Sequence, residues 1–323
     1  MSLVSLYDVP APAKLNLFLH VVGRRADGYH LLQSVFVLID WCDLLHFERR
    51  SDGRLLRHDL GPPLPADDLS LRAARALQLA SGTGLGADLS VDKRVPWGAG
   101  LGGGSSDAAS TLLALNRLWG LNWPRDRLLP IALTLGADVP FFVGGRNAFV
   151  EGIGERLSPL PPQALPPQRY AVVKPEAAIA TTSIFGSPLL VSDTEAVTVI
   201  SFLADAQIQA KLVSGDGQND YGRNDYGQND YGRNDLQPPA EASCPEVAQV
   251  AAWLAGRFGN SRMSGSGSAV FARVDQGFKG SFGTVDQPLA TGRAGPLATA
   301  MPPGWVGRMC DSLDHHPLLG WAD

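Results

Sequence analysis

From Pro96 to Ser106 the chain reads Pro-Trp-Gly-Ala-Gly-Leu-Gly-Gly-Gly-Ser-Ser. Gly98, Gly100, Gly102, Gly103 and Gly104 put five glycines into seven positions, and Ser105 and Ser106 follow them. Glycine lets the backbone approach a ligand closely and turn its N–H groups inward. Beyond the serines, Ala108, Leu112, Leu115 and Trp119 recur at helical spacing, and Gly120 suits the position just past a helix end. A helix opening on such a loop presents free N–H donors and a positive dipole end, which is the chemistry that holds phosphate. Ser105 or Ser106 is the expected N-cap. The plainer alternative is a turn that only joins strand to helix.

Three other places carry polar groups of interest. Lys14 and Asn16 share one face of an alternating segment, opposite Leu15, Leu17, Leu19 and Val21. A lysine there can equally be a solvated residue on a half-buried sheet. Asp138 lies in Gly136-Ala137-Asp138-Val139-Pro140, where the proline is expected to keep Val139 extended. A stiff bend of this kind either presents its carboxylate or simply turns the chain. Ser264-Gly265-Ser266-Gly267-Ser268 is a second glycine loop, set before an apolar run, and by itself could be a hairpin turn.

The elements that must position these groups are partly legible. Residues 13–22 and 31–47 read as strands with a turn at Asp27-Gly28 between them. Residues 51–65 are rich in Gly, Pro and charge and read as a loop. Asp67 or Asp68 is placed to cap a helix through residues 69–80. A short strand is expected at 89–93, a helix from Arg125 to Leu135, and further strand at the apolar Phe141-Phe142-Val143-Gly144-Gly145 and from Ala148. The proline-rich stretch at 158–168 suggests a boundary between domains at 1–160 and 161–323. A helix is expected over 245–258. The tandem Asn-Asp-Tyr-Gly copies at 214–235 lack apolar periodicity and predict a loosely ordered surface loop.

Composition narrows the function further. A length of 323 residues suits two domains. A net charge of -5 argues against a nucleic-acid partner, which needs clustered Lys and Arg. Cys42, Cys244 and Cys310 cannot build a disulfide framework. Cys42 and His46 have a ligand-like spacing with no second pair to support it, so no metal site is expected there. No apolar run is long enough for a membrane span, and the first residues do not read as a secretion signal, so a cytoplasmic location is expected. Oligomeric state leaves no mark.

Several nucleotide motifs are excluded. Gly98-x-Gly100-x-x-Gly103 has dinucleotide spacing, but Val95-Pro96-Trp97 stands where a strand should end. No acid terminates a second strand about 20 residues on. No Lys-Ser/Thr follows the glycines, and protein-kinase HRD and DFG segments are missing.

Taken together, APAKLNLFL at 11–19, GRRADGYHLLQS at 23–34, VPWGAGLGGGSSDAA at 95–109, LGADVPFFV at 135–143 and MSGSGSAVFA at 263–272 resemble the GHMP kinases, and the resemblance resumes near WVGRMCDSLDHHPL. The superfamily is named for galactokinase, homoserine, mevalonate and phosphomevalonate kinases. The resemblance implies an α+β two-domain GHMP kinase fold: a ribosomal protein S5 domain 2-like N-terminal domain and a ferredoxin-like C-terminal domain, with the site between them. It implies ATP with Mg²⁺, held by Pro96 to Ser106, with Ser105 or Ser106 as a metal contact. Lys14 and Asp138 become the catalytic pair. The DGYH segment points to the branch with a cytidyl substrate and implies that Tyr29 and His30 hold its cytosine, with Phe185 on the other face. Asn16 is placed near the transferred group, and Gly265 and Gly267 line the site from the second domain. Asp107, beside the phosphates, is expected to face away from them and support the helix start.

Two departures stand out. Asp68-Leu69 replaces the family's frequent Asn-Leu near the adenine, and extra repeat copies precede Asn234-Asp235-Leu236, which resembles the family's single Asn-Asp-Leu.

Overall fold

The computed structural model describes residues 3–204, 232–274, 278 and 301–322. The repeat copies up to Tyr231, and with them most of the expected loose loop, lie outside these residues.

Two long strands carry the architecture. β1 (Ser5–Arg24) and β2 (His30–Arg50) pair antiparallel along almost their whole length. The turn between them closes through Arg25 N–H to the Tyr29 carbonyl, with Gly28 at φ 91°. The other edge of β2 is shared in succession by three strands. β5 (Ala148–Gly152) lies opposite Leu32–Phe36, β10 (Val306–Leu313) opposite Leu38 and Ile39, and β4 (Gly86–Asp92) opposite Leu44–Arg50. β6 (Arg156–Pro159) adds to β5. β10 also pairs with β7 (Arg169–Lys174), which leads to β9 (Val270–Val274) and the short β8 (Arg262–Met263). One strand from late in the chain therefore joins the two parts of the sheet.

Helices cover this sheet. Among the described residues they include α1 (Leu69–Ser81), α2 (Gly103–Leu118), α3 (Arg125–Leu135), α4 (Val139–Gly144), α5 (Thr181–Phe185), α6 (Gln237–Ser243) and α7 (Pro245–Phe258). Asp68 caps α1 through bonds from Ser70 N and Leu71 N. The class is α+β. One core packs α1 to α4 against β2 and β4 around Phe47, Leu77, Leu112, Phe141 and Phe142. A second packs α7 on β7 and β9 around Val173, Leu254, Met263 and Ala272. A third joins Leu15, Ile39 and Leu101 to Tyr170, Val172 and Phe271, residues from both sides of the proline-rich stretch.

Four local expectations need correction. Residues 51–65 are not all loop, because β3 (Leu55–Asp59) runs parallel to β4 as an edge strand. Val139–Gly144 is helical, not extended: Pro140 sits in the first turn, where its missing N–H costs nothing. The alternation over residues 13–22 does not persist. β1 shifts register between Pro12 and Lys14 and again between Asn16 and Leu19, so Phe18, Leu19 and His20 are all buried. Neither serine caps α2. The helix starts at Gly103 and its N-cap is Gly102 at φ 72° with no side-chain bond.

Candidate active site

The register shifts in β1 bracket Lys14–Asn16, and such irregularities re-aim side chains beside functional sites. Lys14 is tied to the glycine loop by its own backbone: its N–H donates to the Leu101 carbonyl at 2.9 Å. Its side chain is almost wholly buried and passes Gly102, where a Cβ would stand 3.1 Å from Lys14 Cγ and 2.9 Å from the Phe142 ring. The ammonium lies 4.5 Å from the Phe36 ring centre and donates to Asn16 Oδ1. Its charged neighbour is Asp138, with Oδ2 3.8 Å away. Asp138 precedes α4, caps nothing with its side chain, and is about a third exposed. Burial pushes the Lys14 pKa down, and the Asp138 carboxylate opposes the shift.

Asn16 sets the next layer. Its Nδ2 donates to Ser34 Oγ at 2.9 Å, and its backbone N–H donates to Ser264 Oγ at 3.2 Å. That hydroxyl also donates to the Gly100 carbonyl at 3.2 Å, so one serine joins β1 to both glycine loops. The loops touch along their backbones, through Ala269 N to Ala99 O at 3.1 Å and Ser268 N to Gly98 O at 3.3 Å. Gly98, Gly100 and Gly102 all take positive φ, and a Cβ on Gly100 would fall 2.1 Å from the Ser264 carbonyl. A Cβ on Gly265 would meet the Gly100 carbonyl at 3.1 Å, and one on Gly267 would meet Met263 Sδ at 2.7 Å. Asn234 holds the second loop from behind, donating to the carbonyls of Met263 at 2.8 Å and Gly265 at 2.7 Å.

Behind the first turn of α2 lies a buried triad that the sequence did not reveal. Lys93 donates to Asp107 Oδ2 at 2.6 Å and to Asp43 Oδ2. Asp43 in turn accepts from Arg94 N at 2.6 Å and Val95 N at 2.7 Å. The start of the glycine loop is thereby fastened to the helix that ends it. Asp107 turns its carboxylate onto Lys93. Burial pushes the Asp107 pKa well up; the Lys93 ammonium opposes the shift and Asp43 adds to it. The signal available in the sequence was Asp43 itself, a lone acid within the apolar Trp41-Cys42-Asp43-Leu44-Leu45.

The remaining predicted residues lie at the β1–β2 turn, at the end of α5 and around the glycine loop. His30 and Phe185 stack face to face, with ring centres 5.1 Å apart and planes 23° apart. Tyr29 is 61% exposed and stacks on neither. Burial and Arg24 lower the His30 pKa. Pro96 precedes the exposed Trp97 and leads into the loop, while Gly103 and Gly104 open α2. Ser105 is partly exposed on the first turn of α2, and Ser106 is buried with no hydrogen-bond partner for its hydroxyl. Among the described residues, no group of three or more His, Cys, Asp or Glu side chains could hold a metal ion, and no helix is long and apolar enough to cross a membrane.

A glycine loop at a helix N-terminus, flanked by a buried lysine and a carboxylate, is an arrangement suited to phosphoryl transfer. Residues 68–146 match the GHMP kinases N terminal domain and residues 219–277 the GHMP kinases C terminal domain. The chain belongs to the GHMP kinases and is an ATP-dependent kinase. It is 60% identical over 322 residues to 4-diphosphocytidyl-2-C-methyl-D-erythritol kinase of Methylibium petroleiphilum, covering 100% of both chains. It is 54% identical over 318 residues to the enzyme of that name from Verminephrobacter eiseniae, covering 98% of each. A solved 4-(cytidine 5'-diphospho)-2C-methyl-D-erythritol kinase superposes with a TM-score of 0.66 at 36% identity, over 83% of this chain and 88% of that one. Homoserine kinase from Cytophaga hutchinsonii, at 17% identity and a TM-score of 0.54 over 84% and 85% of the two chains, shares the fold.

Proposed function

We propose that this kinase transfers the γ-phosphoryl group of ATP to the 2-hydroxyl of 4-diphosphocytidyl-2-C-methyl-D-erythritol. The observation that carries the chemistry is the Lys14–Asp138 pair, 3.8 Å apart beside Gly102 of the phosphate loop. Asp138 accepts the hydrogen bond of the attacking hydroxyl. A carboxylate is too weak a base to ionise an alcohol in advance, so its first task is to aim the oxygen. As the hydroxyl oxygen bonds to the γ-phosphorus, the bond from that phosphorus to the β,γ-bridging oxygen breaks and ADP leaves. The hydroxyl proton passes to Asp138 late in the step. Lys14 stabilises charge on the transferred group. The transition state of such transfers is loose, so positioning and charge carry most of the rate.

The phosphates lie on the backbone donors from Gly98 to Gly104 and on the N-terminus of α2. Magnesium, when bound, neutralises phosphate charge. The residues present fit an ion carried by the nucleotide with few protein ligands: the Ser105 hydroxyl is partly exposed on the first turn, whereas that of Ser106 is buried. Asn16 fixes Lys14 near the transferred group, and Gly265 and Gly267 let the second loop close on the first. The cytosine is received by the exposed Tyr29 and the outer face of the His30–Phe185 stack. Residues 1–160 then supply the nucleotide and catalytic side, and residues 161–323 the substrate side.

A coupled ADP-release assay tests the reading, with Mg²⁺-ATP and the cytidyl alcohol, and with mevalonate and homoserine in parallel. Turnover of the cytidyl substrate alone is expected. Turnover of another alcohol in its place would keep the phosphate loop and remove the cytosine site.

A further inference from the structure

Lys174 ends β7 and is buried, with 8% of its surface exposed. Among the described residues it forms no ion pair. Its ammonium instead donates to three successive main-chain carbonyls of the turn that follows, those of Pro175 at 2.8 Å, Glu176 at 3.3 Å and Ala177 at 3.2 Å. An ammonium has three donors, and this carbonyl cage uses them all. Burying a cation is unfavourable: burial lowers its pKa, and Cys244 and Glu176 oppose the shift only in part. An apolar side chain would fill the end of β7 more cheaply, so the charge serves the turn.

The turn starts a strap that crosses the whole site. Ser268 Oγ donates to the Ala177 carbonyl at 2.5 Å. A Cβ on Gly98 would lie 3.3 Å from Ala178, and one on Gly267 would lie 3.6 Å from Ile179. The Thr181 and Ser266 hydroxyls bond at 2.9 Å. Four residues later Phe185 stacks on His30. The strap thus touches both glycine loops before it delivers the aromatic ring.

We propose that Lys174 is a positioning residue for the cytidyl substrate: its ammonium sets the 175–177 turn, and the turn fixes where the strap presents Phe185. The proposal rests on the substrate reading above. It is tested in the full chain with Lys174→Met, Lys174→Arg and Lys174→Ala, each assayed for kcat, for KM of both substrates and for Tm. Lys174→Met is expected to raise KM for the cytidyl substrate about tenfold, part of what one base stack contributes, while KM for ATP stays close to wild type. Lys174→Arg keeps the charge and much of the affinity. n-Propylammonium, which replaces the missing stem and ammonium, lowers the raised KM of Lys174→Ala and leaves the wild type unaffected. Should Lys174→Met fail to fold, the amine titration of Lys174→Ala and the Lys174→Arg constants decide in its place. An unchanged cytidyl KM, a rise shared equally by ATP, or a lower Tm without amine rescue overturns the proposal. Wild-type protein that does not turn over the cytidyl substrate at all overturns the substrate reading instead, and this proposal with it.

Discussion

At the scale of single residues, the site pairs a buried lysine with a partly exposed carboxylate. Asp138→Asn leaves the shape of the bend but removes the proton acceptor, and kcat is expected to fall by roughly 10²–10⁴, the range for a positioned base; steady-state kinetics that retained most of the turnover would reassign the role. Lys14 is the more strained partner. Because burial lowers its pKa, kcat/KM should decline on the alkaline side at a pH below the ordinary lysine value of about 10.4. Folding stability should move the opposite way. Between the lowered pKa and the ordinary one, the unfolded chain holds a proton that the folded chain has released, so stability rises with pH there. Lys14→Met should therefore lose activity without losing Tm. The triad beneath the loop allows a sharper contrast. Asp107→Asn keeps the shape of the side chain and an oxygen to accept from Lys93, so it should retain the fold and most turnover. Asp43→Ala leaves Lys93 with Asp107 alone and two backbone N–H groups without their acceptor, and should lose about 1–3 kcal/mol for each buried donor left unsatisfied in a denaturant titration.

At the scale of elements, the glycines at 98–104 leave room for the second glycine loop. Gly100→Ala places a methyl group against the Ser264 carbonyl at a φ that side chains avoid. Raised KM for ATP together with a lower Tm is the expected result, and an unaltered KM would mean that the two loops part when nucleotide binds. This is also where the sequence was most and least informative. The long periodic helices over 69–81, 125–135 and 245–258 were visible because an apolar stripe at helical spacing has few other readings. The glycines and serines at 98–106 were visible because no core position wants them. The apolar Phe141-Phe142-Val143 was misjudged because a short run fits a strand or a buried helix equally well, and only the surrounding core decides. Leu55–Asp59 was missed because an edge strand can be short and charged. Asp43, Lys93, Asn234 and Ser264 owe their importance to partners far away in the chain, which no local pattern encodes. The bulges around Lys14 belong to the same class, since register is a property of a pair of strands.

At the scale of the whole molecule, residues 318–322 are fastened to the start of α3 and the end of α4. Arg125, at the start of α3, donates to the carbonyls of Val143, Leu318, Leu319 and Ala322. His316 packs beside it: its N–H donates to the Gly145 carbonyl at 2.8 Å, and its Nδ1 accepts from Leu318 N at 3.0 Å. Burial, then Arg125, pushes the His316 pKa down to about 3. The folded chain therefore keeps this ring neutral while the unfolded chain protonates it, and stability falls as pH drops from about 6.5 towards the lowered value. His316→Gln should flatten that decline in a series of thermal melts from neutral to acid pH; a parallel decline would place the acid sensitivity elsewhere. The core shared by Leu15, Ile39, Tyr170 and Phe271 couples the two halves, so those melts should show one transition, not two. The position of β10 has a different consequence, one of timing. A ribosome makes this chain from β1 onward, and β2 emerges long before the strand that must lie between it and β7. Until then the nascent protein carries an open seam through the middle of its sheet, so a kinase able to close its cleft appears only once synthesis has passed Leu313, and chaperones have that whole interval in which to shield the seam.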